Sequence, residues 1–297
     1  MACGTIRGAV TRLAIDGQEF RFISAKNTSN NPSLIDLTQE TIRGTFQPHS
    51  NDILYGQRIH RWQIVLQPTP LEMGVLWPIM GFTNSTGTTW IPTANLSTDM
   101  EFRMDIDMGS EMLSYAKCVV SKWVFQGQRG RQPWTVMLEI ICDVETSLVS
   151  WATNTAIGSG RPYAFHQAAL SLGGTSRNFY RAVLANDFHV EDEFYNSQTL
   201  TDICPQTWDM TLATAVPFNS TNEALYTGPR DSSTRPAGSL TLTGTNISTS
   251  FSFAELVALP KPPDILRRDE SLKLGLFYRP VATDSNDLVT ITHDSTP

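Results

Sequence analysis

Apolar and polar residues alternate along most of this chain, so the two-residue period of a half-buried strand dominates its pattern. Trp62, Ile64 and Leu66 alternate with Arg61, Gln63 and Gln67. Leu13 and Ile15 alternate with Arg12 and Asp16 ahead of an Asp16-Gly17 turn, which predicts a first hairpin leading into Phe20 and Phe22. Met104, Ile106 and Met108 alternate with Arg103, Asp105 and Asp107, and Tyr115 to Phe125 reads as a further strand. A turn at Gln126 to Gln132 then precedes Val136, Leu138 and Ile140, which alternate with Thr135, Met137 and Glu139. One helix interrupts the strands. Pro68 and Pro70 remove ladder donors, Thr69 is placed as an N-cap, Pro70 suits the first helical position and Glu72 the first turn. Leu71, Val75, Leu76 and Ile79 share a helical face, which predicts a short helix lying on the apolar side of a sheet until Pro78 and Gly81 end it.

Two stretches break the pattern. Ser24 to Asn51 is rich in Asn, Ser and Pro and reads as a long loop with a short strand near Ile42 to Phe46. Thr83 to Asp99 reads as a second polar loop with Trp90 and Ile91 at its middle, either a docking tip or a loop folded back on its own core. Loops longer than about 12 to 15 residues in compact domains are functional or disordered. Both are therefore expected to contact neighbouring subunits or the next ring of an assembly, the second as an inter-ring loop through Asn84, Trp90, Ile91 and Asn95.

The second half echoes the first. Leu170 and Leu172 before Gly173-Gly174 match Leu13 and Ile15 before Asp16-Gly17. Trp208, Met210 and Leu212 match Trp62, Ile64 and Leu66; Leu240 and Leu242 match Met104 and Ile106; Leu272, Leu274 and Leu276 match Val136, Leu138 and Ile140. Met104 to Val136 and Leu240 to Leu272 both span 32 residues, whereas Trp62 to Met104 spans 42 against 32 for Trp208 to Leu240, a surplus close to the size of the Thr83 to Asp99 loop. The expected fold is all-β with minor α: two tandem β-sandwich or barrel modules, residues 1–145 and 163–297, joined by a Gly- and Pro-containing linker at 146–162. In the second module the helix, at Pro217 to Tyr226, is expected to be shorter.

With 297 residues, 40% hydrophobic and 17% charged, the chain can bury an ordinary core. No apolar run approaches the roughly 20 residues of a membrane span, and Met1 to Ala14 lacks an apolar signal region, so the chain is expected to stay in the cytoplasm where it is made. The net charge of −7 argues against tight sequence-independent binding to nucleic acid. Cys3, Cys118, Cys142 and Cys204 form no C-x-x-C pair and read as reduced thiols, though Cys118 and Cys142 approach each other if their strands pair. His189 with Glu191, Asp192 and Glu193 is a weak cation candidate against a solvated acidic hairpin. His49 and His60 flank a turn containing Asp52, where a surface or capping role outweighs a catalytic one. Arg267-Arg268 and Arg129 with Arg131 are too small for a nucleic-acid footprint, and the N-x-S/T sequons at Asn27, Asn84, Asn95, Asn219 and Asn246 follow from a Ser- and Thr-rich strand composition. No hydrolase elbow, zinc-protease, dinucleotide or Walker motif occurs, and no acid, base and nucleophile set can be assembled, so no enzyme and no cofactor is expected.

The RGTF segment at Arg43 to Phe46, the strand, proline and helix of Trp62 to Met80, the YAKCVVSKWVF strand from Tyr115 and the PWTVMLEI strand from Pro133 resemble the tail tube proteins of long-tailed, siphovirus-like bacteriophages. The resemblance implies β-sandwich modules flanked by a helix, stacked rings that form the channel for DNA delivery, and a two-module variant that reaches pseudo-sixfold symmetry as a trimer rather than a hexamer. It further implies a location in the virion tail after assembly in the host cytoplasm, a tape-measure protein and tail terminator as partners, and transient contact with passing DNA. Gln63, Asp105, Asp107, Glu139 and Asp209 lie opposite the apolar parity of their strands and are expected to line the lumen, where carboxylates would repel phosphates; an outer solvated face is the alternative. A capsid-decorating, baseplate or adaptor protein, or a carbohydrate-binding sandwich using Trp90, are the other readings.

Overall fold

The structure, a computed structural model, describes residues 10–29, 34–36, 53–55, 59–109, 111–130, 133–148, 150–151, 153–157, 160–193, 200, 202–231, 235–245, 247–259 and 273–294. It is mostly strand with little helix. In chain order the first half supplies β1 (Arg12–Ile15), β2 (Gln18–Phe20), β3 (Phe22–Asn27), β4 (Leu34–Asp36), β5 (Ile53–Tyr55), β6 (His60–Leu66), α1 (Pro70–Ile79), β7 (Phe82–Thr86), β8 (Thr89–Pro92), α2 (Leu96–Asp99), β9 (Phe102–Asp107), β10 (Met112–Gln128), β11 (Thr135–Cys142), β12 (Glu145–Ser147) and β13 (Thr155–Ala156). The second half supplies β14 (Ala168–Leu172), β15 (Thr175–Arg177), β16 (Arg181–Asp187), β17 (Glu191–Glu193), β18 (Asp202–Cys204), β19 (Asp209–Pro217), α3 (Ser220–Asp231), β20 (Gly238–Thr243), β21 (Ser248–Phe253), β22 (Glu255–Ala258), β23 (Lys273–Val281) and β24 (Thr290–Asp294).

Both halves run through the same succession of antiparallel pairings. In the first the order is β2-β1-β9-β10-β11-β6-β3. The second repeats it as β15-β14-β20-β21, then β22-β23-β19-β16, with Ala254 separating β21 from β22. β10 has no such break. It carries its chain from one limb to the other through register shifts at Tyr115/Cys118 and Val120/Lys122, where an unpaired residue bends the strand. A helix follows β6 and β19 in turn, while the β7–β8 hairpin and α2 fall between α1 and β9 and have no counterpart among the described residues between α3 and β20.

The register moves the residue matches expected from spacing. Leu13 faces Ile106 and Leu170 faces Leu240, so Ile106, not Met104, is the positional counterpart of Leu240. Likewise Val136 faces Leu66 and Leu274 faces Val216, which makes Leu212, rather than Trp208, the counterpart of Trp62. Each shift is an even number of residues, so the buried parity survives. Trp208 lies ahead of β19 and packs at 5.0 Å from Phe188 and 5.2 Å from Phe82.

The halves are not separate bodies. β10 pairs with β16 along Lys122–Gln128, and β8 pairs with β24 at Ile291/Trp90, which produces a thirteen-stranded sheet and a seven-stranded one with a single core between them. Aromatic side chains bridge the gap: Phe251 of the smaller sheet lies 5.4 Å from Phe125 of the larger and 5.7 Å from Trp77 of α1. Such pairs add about 0.5–1.5 kcal/mol each beyond area burial. Residues 146–162, read from sequence as a linker, contribute β13 on β2 and carry Trp151 and Asn154 onto the first half's surface.

α1 starts as its sequence dictates. Thr69 Oγ1 accepts from the Glu72 amide, the Glu72 carboxylate accepts from the Thr69 amide at 2.6 Å, and Pro70 occupies the first turn. Rather than lying with one face on a sheet, the helix is enclosed: Met73, Leu76, Trp77 and Ile79 are buried, whereas Leu71 and Val75 are half-buried. α3 runs twelve residues against ten for α1, longer than expected, and continues past Tyr226 to Asp231.

Candidate functional site

Side by side, β3-β6-β11-β10 and β16-β19-β23-β22 make one eight-stranded surface in which the second set repeats the first in the same order. One face is core: Trp62, Ile64, Leu66, Trp123, Phe125, Leu138, Leu184, Leu212 and Leu276 are buried. On the other face a row of polar residues crosses six strands in register, Lys26, Gln63, Glu139, Lys122, Asp187 and Asp209. Gln63 Nε2 donates to Glu139 at 3.4 Å, Lys122 lies 3.7 Å from Asp187, and Arg279 lies 3.3 Å from Asp209. His189, at φ +46°, places its ring nitrogens 3.8 Å from Asp187 and 3.6 Å from Asp209. The next row is short and uncharged: Ser24, Val65, Met137, Val124, Ala185 and Thr211.

Of the residues expected on one face, Gln63, Glu139 and Asp209 are together. Asp105 and Asp107 are not. Their strand β9 belongs to the other limb of the sheet, and although Asp105 does point away from the core, residues 153–157 fold across it. Asp105 is buried and accepts hydrogen bonds from Ser114 Oγ at 2.6 Å, Arg103 Nε at 3.0 Å and Asn154 Nδ2 at 3.0 Å. Asp107 is half-buried and accepts from the Gly109 amide at 2.7 Å, closing a turn. The face is also more balanced in charge than its acids suggested. Lys26, Lys122 and Arg279 stand among Glu139, Asp187 and Asp209, and only the strand pairing puts them there.

Thr83 to Asp99 is a hairpin and a short helix rather than an unstructured loop. Asn84 donates to the Gly87 carbonyl at 2.6 Å within the turn, Trp90 and Ile91 are half-buried, and Asn95 precedes α2. Trp90 therefore packs as part of the seven-stranded sheet, while Thr83 to Thr88 form the exposed tip. In the Ser24 to Asn51 stretch, Ser24–Asn27 completes β3 and Leu34–Asp36 pairs with Ile53–Tyr55; the expected strand at Ile42–Phe46 lies outside the described residues.

The β17–β18 hairpin connects the halves from the same side. Asp192 pairs with Arg61, and Lys117 pairs with Asp202 at 2.8 Å and Glu101 at 2.7 Å. Burial holds the Asp192 carboxyl above its usual range, against the pull of Arg61. Among the described residues no group of three His, Cys, Asp or Glu side chains is placed to hold a metal ion. Cys118 and Cys142 face each other across β10 and β11 as free, buried thiols, both pushed up in pKa by burial. Among the described residues no helix is long and apolar enough to cross a membrane. No protein-family model matches this chain, and no curated protein matches it.

Proposed function

We propose that this chain is a structural virion protein that assembles into stacked rings forming a phage tail tube, the channel through which DNA is delivered. One observation carries the reading. Within a single chain, the outer strand of one four-strand set, β10, pairs with the outer strand of the next, β16, and this leaves β3 at one end of the surface and β22 at the other. On this reading the two halves are two copies of one unit joined head to tail. A head-to-tail contact does not satisfy itself as a two-fold contact does; it either closes into a ring or runs on as a filament. Pairing of β22 with β3 of a second chain repeats the β10–β16 joint and would take up edge groups such as the Ala258 amide, the Leu256 amide on the same edge being already bonded to the Pro236 carbonyl; unpaired edges are otherwise sites of indiscriminate association. Three chains then supply six units around a ring.

The face bearing Gln63, Glu139, Lys122, Asp187 and Asp209 becomes the inner wall in this arrangement. Balanced charge and short side chains give passing phosphates no cluster of cations to hold, which suits a conduit better than a nucleic-acid binding site.

The edge provides the test. Leu259 donates its amide to Phe277 and Val257 faces Arg279, so the intervening Ala258 amide points away from β23. Ala258→Pro removes that outward donor while leaving the internal ladder intact. Sedimentation should find folded monomer for the variant and rings or tubes for the parent. Equal assembly by both proteins would sink the proposed joint.

A further inference from the structure

One edge is covered in the first half and open in the second. In the first, β13 lies parallel along the outer edge of β2, with Thr155 opposite Gln18 and Ala156 opposite Glu19. Just before it, Trp151 covers the same hairpin, its ring 4.7 Å from the Arg12 guanidinium and its indole nitrogen donating to Glu19 at 3.4 Å. Leu13 and Leu170 are counterparts, so the paired positions of the two hairpins match Gln18, Glu19 and Phe20 to Thr175, Ser176 and Arg177, and Arg12 to Ala169. β15 ends the seven-stranded sheet, and among the described residues no strand lies on its outer side.

In place of that cover there is a cleft of about 560 Å³ at the Arg181 end of β16. Ala169 and Ser176, both small and exposed, line it together with Arg129, Arg177, Phe179 and Tyr180. The Leu172/Thr175 pair flanks the two-residue Gly173-Gly174 turn and is hydrogen-bonded, so the next residue, Ser176, turns its amide and carbonyl away from β14. The charge at this end is unanswered as well. Arg177 donates to the Thr221 carbonyl at 2.8 Å and Asn222 Oδ1 at 3.1 Å, yet its Nε is buried without a partner. The Arg129 guanidinium and Lys273 ammonium stand 5.8 Å and 5.4 Å from the Tyr180 ring. None of Arg129, Arg177, Arg181 and Lys273 forms an ion pair among the described residues, although the chain's net charge is −7.

We propose that the outer edge of β15 and this cationic, aromatic cleft seat an extended acidic peptide from a partner protein, added as a strand parallel to β15. The mode follows from the first half, where β13 takes the same place on β2. The chemistry follows from the unpaired cations and the rings beside them, since arginine with tyrosine and phenylalanine is the composition of an interface centre. Main-chain bonds to Ser176 hold the added strand, and an aromatic side chain rests over Ala169 and Ser176 as Trp151 rests over Arg12 and Glu19. Carboxylates of the peptide meet Arg129 and Arg177 and fix its register. Nothing in this contact depends on ring formation.

Fluorescently labelled full-length protein is probed against a bead library of nine-residue peptides with a central Trp and flanking positions drawn from Thr, Val, Glu and Lys. Glu should be enriched over Lys. The best peptide, measured in solution, should lose about tenfold or more in affinity with Arg129→Glu, and as much with Ser176→Pro, which removes the outward amide; urea midpoints establish that both variants stay folded. N-methylation of the peptide backbone should cost the unaltered protein the same affinity. No enrichment, or enrichment of Lys, overturns the proposal. Undiminished binding of the N-methylated peptide, or of the peptide to folded Ser176→Pro, overturns it too, because the contact would then be one of charge alone. A short DNA duplex that binds the parent more tightly than the peptide assigns the cations to nucleic acid, and self-association of the parent that Ser176→Pro abolishes assigns the edge to a second copy; either result overturns the partner strand.

Discussion

Gly81 ends α1 where the first half meets the second, and replacing it should be unusually costly for an alanine. Its φ is +87°, and a Cβ built there lies 2.9 Å from Phe188 Cζ and 2.9 Å from Trp208 Cζ2, both second-half side chains. A left-handed conformation costs an L-residue about 1–2 kcal/mol, and forcing an extra methyl into packed rings costs about 1–3 kcal/mol. Together they place Gly81→Ala about 2–5 kcal/mol below the parent. Gly87, in the β7–β8 turn, separates the two terms. Its φ is +63°, but nothing lies within 4 Å of a Cβ there, so Gly87→Ala should cost only the conformational part, about 1–2 kcal/mol. Urea unfolding followed by tryptophan fluorescence measures both variants, and Trp208 reports on the contact itself. Equal losses in the two variants would refute the packing argument, and with it the close approach of α1 to Phe188 and Trp208.

Cys118 and Cys142 should resist alkylation in the native protein, whereas half-buried Cys204 should react before either of them; peptide mass mapping distinguishes them, and early labelling of Cys118 or Cys142 would contradict their burial. His293 is buried beneath α1 with its Nδ1 2.9 Å from Thr249 Oγ1 and its Nε2 unpartnered, and burial depresses its pKa to about 4. A base favoured as neutral in the fold contributes stability fully above its unfolded pKa of 6.5 and loses it as pH falls from there towards about 4, at most about 3 kcal/mol. His293→Gln should flatten that acid limb in denaturation midpoints taken between those pH values, and an unchanged slope would discount the histidine.

Strand parity was legible in the sequence because alternation reports which face is buried and survives an even shift in register. The Asp16-Gly17 and Gly173-Gly174 hairpins and the Thr69-Pro70-Glu72 start of α1 were legible for the same local reason: each depends on residues within a turn of one another. Pairing partners were not. That Trp62 corresponds to Leu212, or that Lys122 stands between Glu139 and Asp187, follows from contacts made by residues far apart in the chain. Asp105 shows the same limit, since its parity was right but the cover over it comes from Asn154 and its neighbours, whose sequence resembles a linker. The β7–β8 hairpin hid because Asn, Ser and Thr at its tip mark a loop, while its β8 strand is held by β24, two hundred residues away in sequence. The cationic aromatic end was hidden too: Arg129, Arg177, Arg181 and Lys273 are scattered singly, and no local pattern unites them.

The central claim is that one chain contains two head-to-tail units whose joint recurs between chains. Its most direct measurement is electron microscopy of the purified parent protein with rotational averaging of end-on views. Rings with sixfold features and a mass of three chains, stacking into tubes, are the expected result; a uniform population of monomers or of two-fold dimers at every concentration would contradict the claim.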